Sequence, residues 1–270
     1  MFVDTYAPGW LEELATRPAA PDGSASYLLI DGVFVPGLYR DFQRLLGADA
    51  VRLLFEGRAG YTDEVGDVSP FLLRYPEGEP RLAAVLERCS GWPMLSVLES
   101  REALPDLARR LAAWCLVDND GQMFNFRFTD TRRLPGIVAA LDDQQRRSLA
   151  GPATTWRYIG RDGAWHALDL PGIAAPYKDG PQPLNSRQFA QMLADSEIDE
   201  AVRSLSSVDT ALPATPFARY RLVATAMDIA KQHGIAEEDR RAWCAYFVRA
   251  GAPQDERAIA GLMHGWRELA

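Results

Sequence analysis

Residues Phe124 to Arg133, FNFRFTDTRR, place three alternating phenylalanines beside three arginines and one aspartate within ten positions. Guanidinium groups gathered in this way could hold a phosphate or a carboxylate, because each presents a planar fork of N–H donors. With a carboxylate among them they could equally belong to a catalytic cluster. A structural reading accounts for the same residues. Period-two alternation along a strand puts Phe124, Phe126 and Phe128 on one face and Asn125 and Arg127 on the other. The phenylalanines are then core, and Arg127 lies under a covering helix or at an edge, where burial would require a carboxylate; Asp130 is the nearest candidate. Thr129 or Asp130 could cap a following helix that carries Ile137, Val138 and Leu141. The structural reading is favoured because buried arginines are as a rule paired. Arg132 and Arg133 are the arginines expected to reach a partner.

Other candidates for chemistry are sparse. The patterns G-x-S-x-G, H-E-x-x-H, G-x-x-x-x-G-K-[ST] and a strand-linked G-x-G-x-x-G are all missing. Of the three histidines, His166 alternates with Trp165 on an expected hairpin strand, His233 precedes Gly234 at a helix end, and His264 lies on the polar side of the last helix. None has a cysteine at metal-ligand spacing, so no metal and no cofactor are expected. Cys89, Cys115 and Cys244 are scattered through apolar segments and read as reduced core thiols of a cytoplasmic protein. Carboxylates come in runs. Glu237 to Asp239 and Asp142-Asp143 suit helix starts, while Asp63, Glu64 and Asp67 suit a solvated loop better than a calcium site. Trp156, Tyr158 and Trp165 are expected to cluster across a hairpin, as packing more than as a ligand platform.

The elements that would position these residues follow from pattern. YLLI (27–30), VRLLF (51–55), PFLLRYP (70–76) and PMLSVLES (93–100) read as strands, separated by helical spacing over Leu38 to Leu46, EPRLAAVLERC and EALPDLARRLAAWCLV. Asp118-Asn119-Asp120-Gly121 is a tight hairpin turn, and Arg161-Asp162-Gly163 joins a second hairpin. The expected fold class is α/β (α+β), a mixed β-sheet covered by helices, followed by a small all-helical C-terminal lobe. Boundaries fall at a loose N-terminal lead-in (1–26), a mixed α/β domain (27–168), a linker rich in proline and glycine (169–185) and the lobe (186–270) of four short helices.

Bulk properties narrow the function. The 270 residues carry a formal net charge of -8, with 47% hydrophobic and 24% charged residues, which argues against nucleic acid as a partner and for a folded soluble chain. No apolar run is long enough to span a membrane, and the start lacks the pattern of a secretory signal.

In order, YLLIDG, DVSPFLLRY, PMLSVLES, LARRLAAWCLV and FRFTDTRRLPGIVAAL resemble the chaperone/adaptor family of type VI secretion effectors, the Tap or Tec proteins, formerly a domain of unknown function. The resemblance covers about residues 27 to 158, and F-R-F-x-D-x-R, here Phe126, Arg127, Phe128, Asp130 and Arg132, is its most specific part. Where such proteins usually have proline between the aspartate and the second arginine, this chain has Thr131. The resemblance implies a cytoplasmic, non-enzymatic protein that binds a toxic effector and helps load it onto the spike protein VgrG, with a variable helical lobe contributing to cargo choice. It makes Arg127, Asp130, Arg132 and Arg133 a structural or partner-binding motif rather than a catalytic one. The alternative is an enzyme acting on a phosphorylated or acidic substrate through the arginines at 127–133.

Overall fold

The computed structural model describes residues 2–16, 23–76, 79–170, 174–207, 212–253 and 255–269. Its first elements are α1 (Trp10–Ala15), β1 (Ala25–Ile30), α2 (Leu38–Leu46), β2 (Val51–Leu53), α3 (Asp63–Asp67), β3 (Phe71–Arg74) and α4 (Arg81–Leu86). β4 (Leu95–Ser100), α5 (Leu104–Ala113), the hairpin β5 (Leu116–Asn119) and β6 (Gln122–Asn125), α6 (Leu134–Ala140) and α7 (Asp143–Ala150) follow. A second hairpin, β7 (Ala153–Ile159) and β8 (Trp165–Ala167), precedes the short β9 (Gln182–Pro183). Four helices complete the chain: α8 (Ser186–Ser206), α9 (Pro216–Gln232), α10 (Arg240–Arg249) and α11 (Glu256–Leu269). The chain forms two compact units, Met1–Met192 and Leu193–Ala270.

The fold class is the α+β one expected. In the first unit a six-stranded sheet runs in the order β2-β3-β1-β4-β7-β8. All of its pairings are antiparallel, so the mixed character lies in the small sheet β6-β5-β9, where β5 and β9 run parallel. Helices bury both faces of the large sheet, which is why YLLI and FLL are unbroken apolar runs rather than alternations. On one face Tyr27, Leu29, Leu72, Leu98 and Trp156 pack against Leu107 and Leu111 of α5 and Leu134 of α6. On the other, Leu28, Ile30, Phe71, Leu73 and Val97 meet Trp10 and Leu14 of α1, Phe42 of α2 and Leu82 of α4. Each such leucine contributes about 1.5–3 kcal/mol through burial.

The turn between β5 and β6 has the expected chemistry. Asp120 and Gly121 both have positive φ, 52° and 83°, the signature of a type I′ turn whose twist suits the flanking strands. Asp118 Oδ1 accepts the Gly121 N–H at 2.7 Å.

Several expectations require correction. Residues 2–16 are no loose lead-in: Val3, Tyr6, Trp10 and Leu14 are buried in the core. The segment is tied to the β7–β8 turn, because Asp4 N–H donates to Arg161 O and Ala7 N–H to Gly163 O, both at 2.9 Å. A side chain at Gly163 would run into the Thr5 carbonyl, so glycine permits this approach. Residues 17–22 of the expected lead-in lie outside the described residues. Nor is 169–185 linker throughout, since β9 pairs with β5 and Leu184 is 4% exposed within the core, while 171–173 lie outside the described residues. Two residues of strand pairing leave no periodic trace. The stretch 63–67 is the short helix α3, with Thr62 Oγ1 accepting the Val65 N–H at 3.3 Å and Asp67 paired with Arg40 at 2.5 Å. Trp156 and Tyr158 belong to one core, whereas Trp165, opposite Ile159, packs on the other; strand alternation divides the expected aromatic cluster between the two faces.

The second unit is built on Val223, Ala226 and Met227 of α9, Trp243, Cys244 and Phe247 of α10, and Met263 of α11, joined by Ala201 and Leu205 from the end of α8. The helices are less short than expected: α8 has 21 residues and α9 has 17. The apolar stripe of α8 serves two cores, because Phe189 and Met192 pack with the first unit's cluster.

All three cysteines are free and buried, and burial pushes each thiol up to about 12. The reactive thiolate is therefore scarce until the pH approaches that value. Native protein at pH 8 is expected to react with an aromatic disulfide reagent only at its unfolding rate, and chemically unfolded protein with all three thiols at once. Rapid labelling of even one thiol in the native state would contradict this.

Candidate functional site

The FNFRFTDTRR segment begins as strand and leaves the sheet after Asn125, yet burial keeps alternating: Phe126 and Phe128 are 7% and 0% exposed, with Arg127 between them exposed. The chain then folds into a turn over 128–133 before α6. This turn brings Thr129 and Asp130 against Asp31, which follows β1. Asp31 is 2% exposed, as is Asp130.

Two buried carboxylates and two guanidinium groups form the centre of the site. Arg127 Nη2 donates to Asp31 Oδ2 at 3.0 Å and lies 3.8 Å from Asp130 Oδ2. Thr129 Oγ1 donates to the same Asp31 oxygen at 3.1 Å, and the Val33 N–H to Asp31 Oδ1 at 3.3 Å. Arg132 grips Asp130 with a bidentate pair, Nε to Oδ1 at 3.0 Å and Nη2 to Oδ2 at 2.7 Å. Burial raises the Asp31 carboxyl above its ordinary range, and the Arg127 guanidinium beside it offsets part of that rise.

Backbone bonds fix the cluster to the sheet. Asp31 N–H donates to Met94 O at 2.9 Å, and Thr131 N–H to Pro93 O at 3.0 Å. A proline at position 131 would lack that donor, so Thr131 supports an anchor that proline could not make. Gly32 is obligatory for steric reasons, because a Cβ there would strike the Ser69 carbonyl.

Aromatic rings lie beneath the arginines. Arg127 sits 5.2 Å over Phe34, and Arg132 4.8 Å over Phe2 and 5.9 Å over Phe34. Phe34 stacks on Trp92 at 6.0 Å, and Phe2 lies 5.8 Å from Trp92. Phe2 and Val33 are exposed, so the surface combines open apolar area with guanidinium faces.

Sequence reasoning is thus corrected at several points. The principal partner of Arg127 is Asp31 rather than Asp130, and neither Thr129 nor Asp130 caps α6 with its side chain. Thr129 is committed to Asp31, and the Asp130 carboxylate to Arg132. The Arg127 side chain is 46% exposed, against 10% for Arg132. Arg133 is half-buried. Asp31, Phe2, Phe34 and Trp92 were not anticipated. The one available signal was Asp31-Gly32 at the end of a buried run, where a carboxylate closing an apolar strand needs a cation.

Chemically the site is balanced, two acids against two bases. His166 Nε2 is 2.9 Å from Asp162 Oδ1 and its ring stacks on Tyr158, while exposed His264 is 3.4 Å from Glu268. Among the described residues no group of three or more His, Cys, Asp or Glu could hold a metal ion, and no helix is long and apolar enough to cross a membrane.

Residues 26–148 match the family described as Domain of unknown function (DUF4123). No curated protein and no solved structure matches the chain significantly. The matched region contains Asp31, Arg127, Asp130 and Arg132, together with every strand of the large sheet except β7 and β8.

Proposed function

We propose that this chain is a cytoplasmic adaptor that binds a type VI secretion effector and helps load it onto the VgrG spike. The observation that carries the reading is the match of residues 26–148, because that domain is the one associated with type VI effector adaptors. Binding energy alone would do the work. Aromatic and arginine side chains are the residues that most often dominate protein interfaces, and Phe2, Phe34, Trp92 and Arg127 supply such a surface. The alternative of an enzyme for phosphorylated or acidic substrates gains less support, since Arg132 is nearly buried against Asp130 and leaves Arg127 as the exposed guanidinium of the pair.

The test is co-expression with toxin and spike genes of the genome that encodes this chain, followed by affinity purification on the tagged chain. A stoichiometric complex with the toxin product, and a ternary complex when the spike is added, is the expected result. A chain that elutes alone under conditions where both products are soluble would overturn the reading.

A further inference from the structure

Strand β6 has an unoccupied edge. The register Asn119↔Gln122 and Val117↔Phe124, closed by a two-residue turn, directs the backbone groups of Gln122 and Phe124 toward β5. The Phe126 N–H, donating to Cys115 O at 2.9 Å, continues the same parity. Met123 and Asn125 therefore aim their N–H and C=O groups away from the sheet, where no described residue meets them. Gln122, Met123 and Asn125 are exposed, with Met123 at 55%.

Natural edges are usually blunted by charge, proline or bulges. Among the described residues two of the other outer strands follow that rule: β2 carries Arg52 and β9 carries Pro183. Gln-Met-Phe-Asn has neither charge nor proline. Two residues beyond Asn125, Arg127 bonds Asp31 through Nη2, and its Nε and Nη1 carry no hydrogen bond among the described residues.

The geometry points to β6 as the docking edge for an extended segment of the effector, which adds to the small sheet as a fourth strand and presents a carboxylate to Arg127. This rests on the adaptor reading and assigns a surface to it. Main-chain bonds to Met123 and Asn125 would give affinity without demanding a fixed sequence. The uncharged strand and the half-exposed cation specify the rest: an uncharged extended stretch ending in an acidic residue.

The experiment measures the affinity of the full chain for the effector captured by co-expression, before and after Met123→Pro. Proline at this position removes only the outward N–H and leaves the β5 pairing intact. Affinity is expected to fall roughly tenfold or more, the loss of a main-chain bond plus a steric block, with little change in unfolding midpoint. A salt-sensitive loss from Arg127→Lys, which keeps the charge and loses the fork, should accompany it. Should Met123→Pro fail to fold, amide exchange in the unaltered complex decides: the Met123 and Asn125 amides must become protected on binding. Unchanged affinity of a folded variant, or unprotected amides, overturns the assignment while leaving the adaptor reading in place. So does a dimer of the free chain that Met123→Pro dissolves without affecting effector binding, since the occupant would then be a second copy. If the unaltered chain binds no effector, the adaptor reading fails and the assignment falls with it.

Discussion

Glu102→Ala is expected to destabilise the protein by about 3–5 kcal/mol, because it leaves a guanidinium buried without its counter-charge. The Arg110 side chain is 2% exposed, inside the first unit. Its Nε donates to Glu102 Oε1 at 2.8 Å and its Nη2 to Glu102 Oε2 at 2.6 Å, while Nη1 donates to the Leu149 carbonyl. Gly151, at φ 57°, lies against the guanidinium so closely that a Cβ would come within 2.5 Å of Arg110 Cζ. Neither Gly151 nor the Leu149 carbonyl supplies a counter-charge in place of the carboxylate. Arg110→Met, which removes the charge and keeps apolar volume, is expected to cost less than Glu102→Ala. Chemical denaturation of both variants measures the order. The reverse order would mean that Arg110 is solvated in the native state or that its stem, rather than its charge, sets the cost.

Arg110 also shows where pattern reading of this chain stops. Leu107 and Leu111 of α5 and Trp114 just after it follow one another at helical spacing, and Arg110 falls between them on the buried face. The sequence places an arginine on that apolar stripe, but its partner, Glu102, lies outside the helix and is identified only by the turn that follows β4. The same division holds elsewhere. Strands buried on both faces were legible as apolar runs, and the Asp120-Gly121 turn as a pair tolerant of positive φ. The buried residues Val3, Tyr6, Trp10 and Leu14 were missed, because the small residues, Pro and Gly that follow them made the whole of 1–26 read as a loose lead-in. Pairing of β9 with β5 left no trace, since two residues of backbone bonding place no demand on side-chain type. For the candidate site, the alternation of Phe126, Arg127 and Phe128 was readable, whereas Asp31, 96 positions away from Arg127, depended on how β1 and the turn after β6 are brought together.

Asp130→Ala and Arg127→Ala are expected to differ in both size and pH dependence, although the two residues belong to one cluster. Asp130 is 2% exposed and Arg132, its bidentate partner, has a side chain only 10% exposed. Removing the carboxylate strands a nearly buried cation and deletes the acceptor of the Arg132 N–H, so a loss of about 3–5 kcal/mol is expected at pH 7. Asp130→Asn, which preserves shape and an acceptor, should recover part of it. Arg127 presents the converse case. It is half-exposed, and its removal leaves Asp31 with the Thr129 hydroxyl and the Val33 N–H. Burial already raises the Asp31 carboxyl above its ordinary value of 3.8, and loss of the guanidinium raises it further. A carboxyl whose folded-state pKa exceeds its unfolded one binds its proton more tightly in the native protein. Its favourable contribution is complete below the unfolded pKa and is lost as the pH rises through the folded one. Arg127→Ala should therefore lie closest to the unaltered protein in acid and fall behind it as the pH rises toward neutrality. Unfolding midpoints of the two variants between pH 4 and 8, each set against the unaltered chain, measure this. A deficit for Arg127→Ala that stays constant across that range would mean that Asp31 remains ionised without its arginine. In that case Thr129 and the Val33 amide, rather than Arg127, would be what holds the charge, and Arg127 would be available in full to a partner.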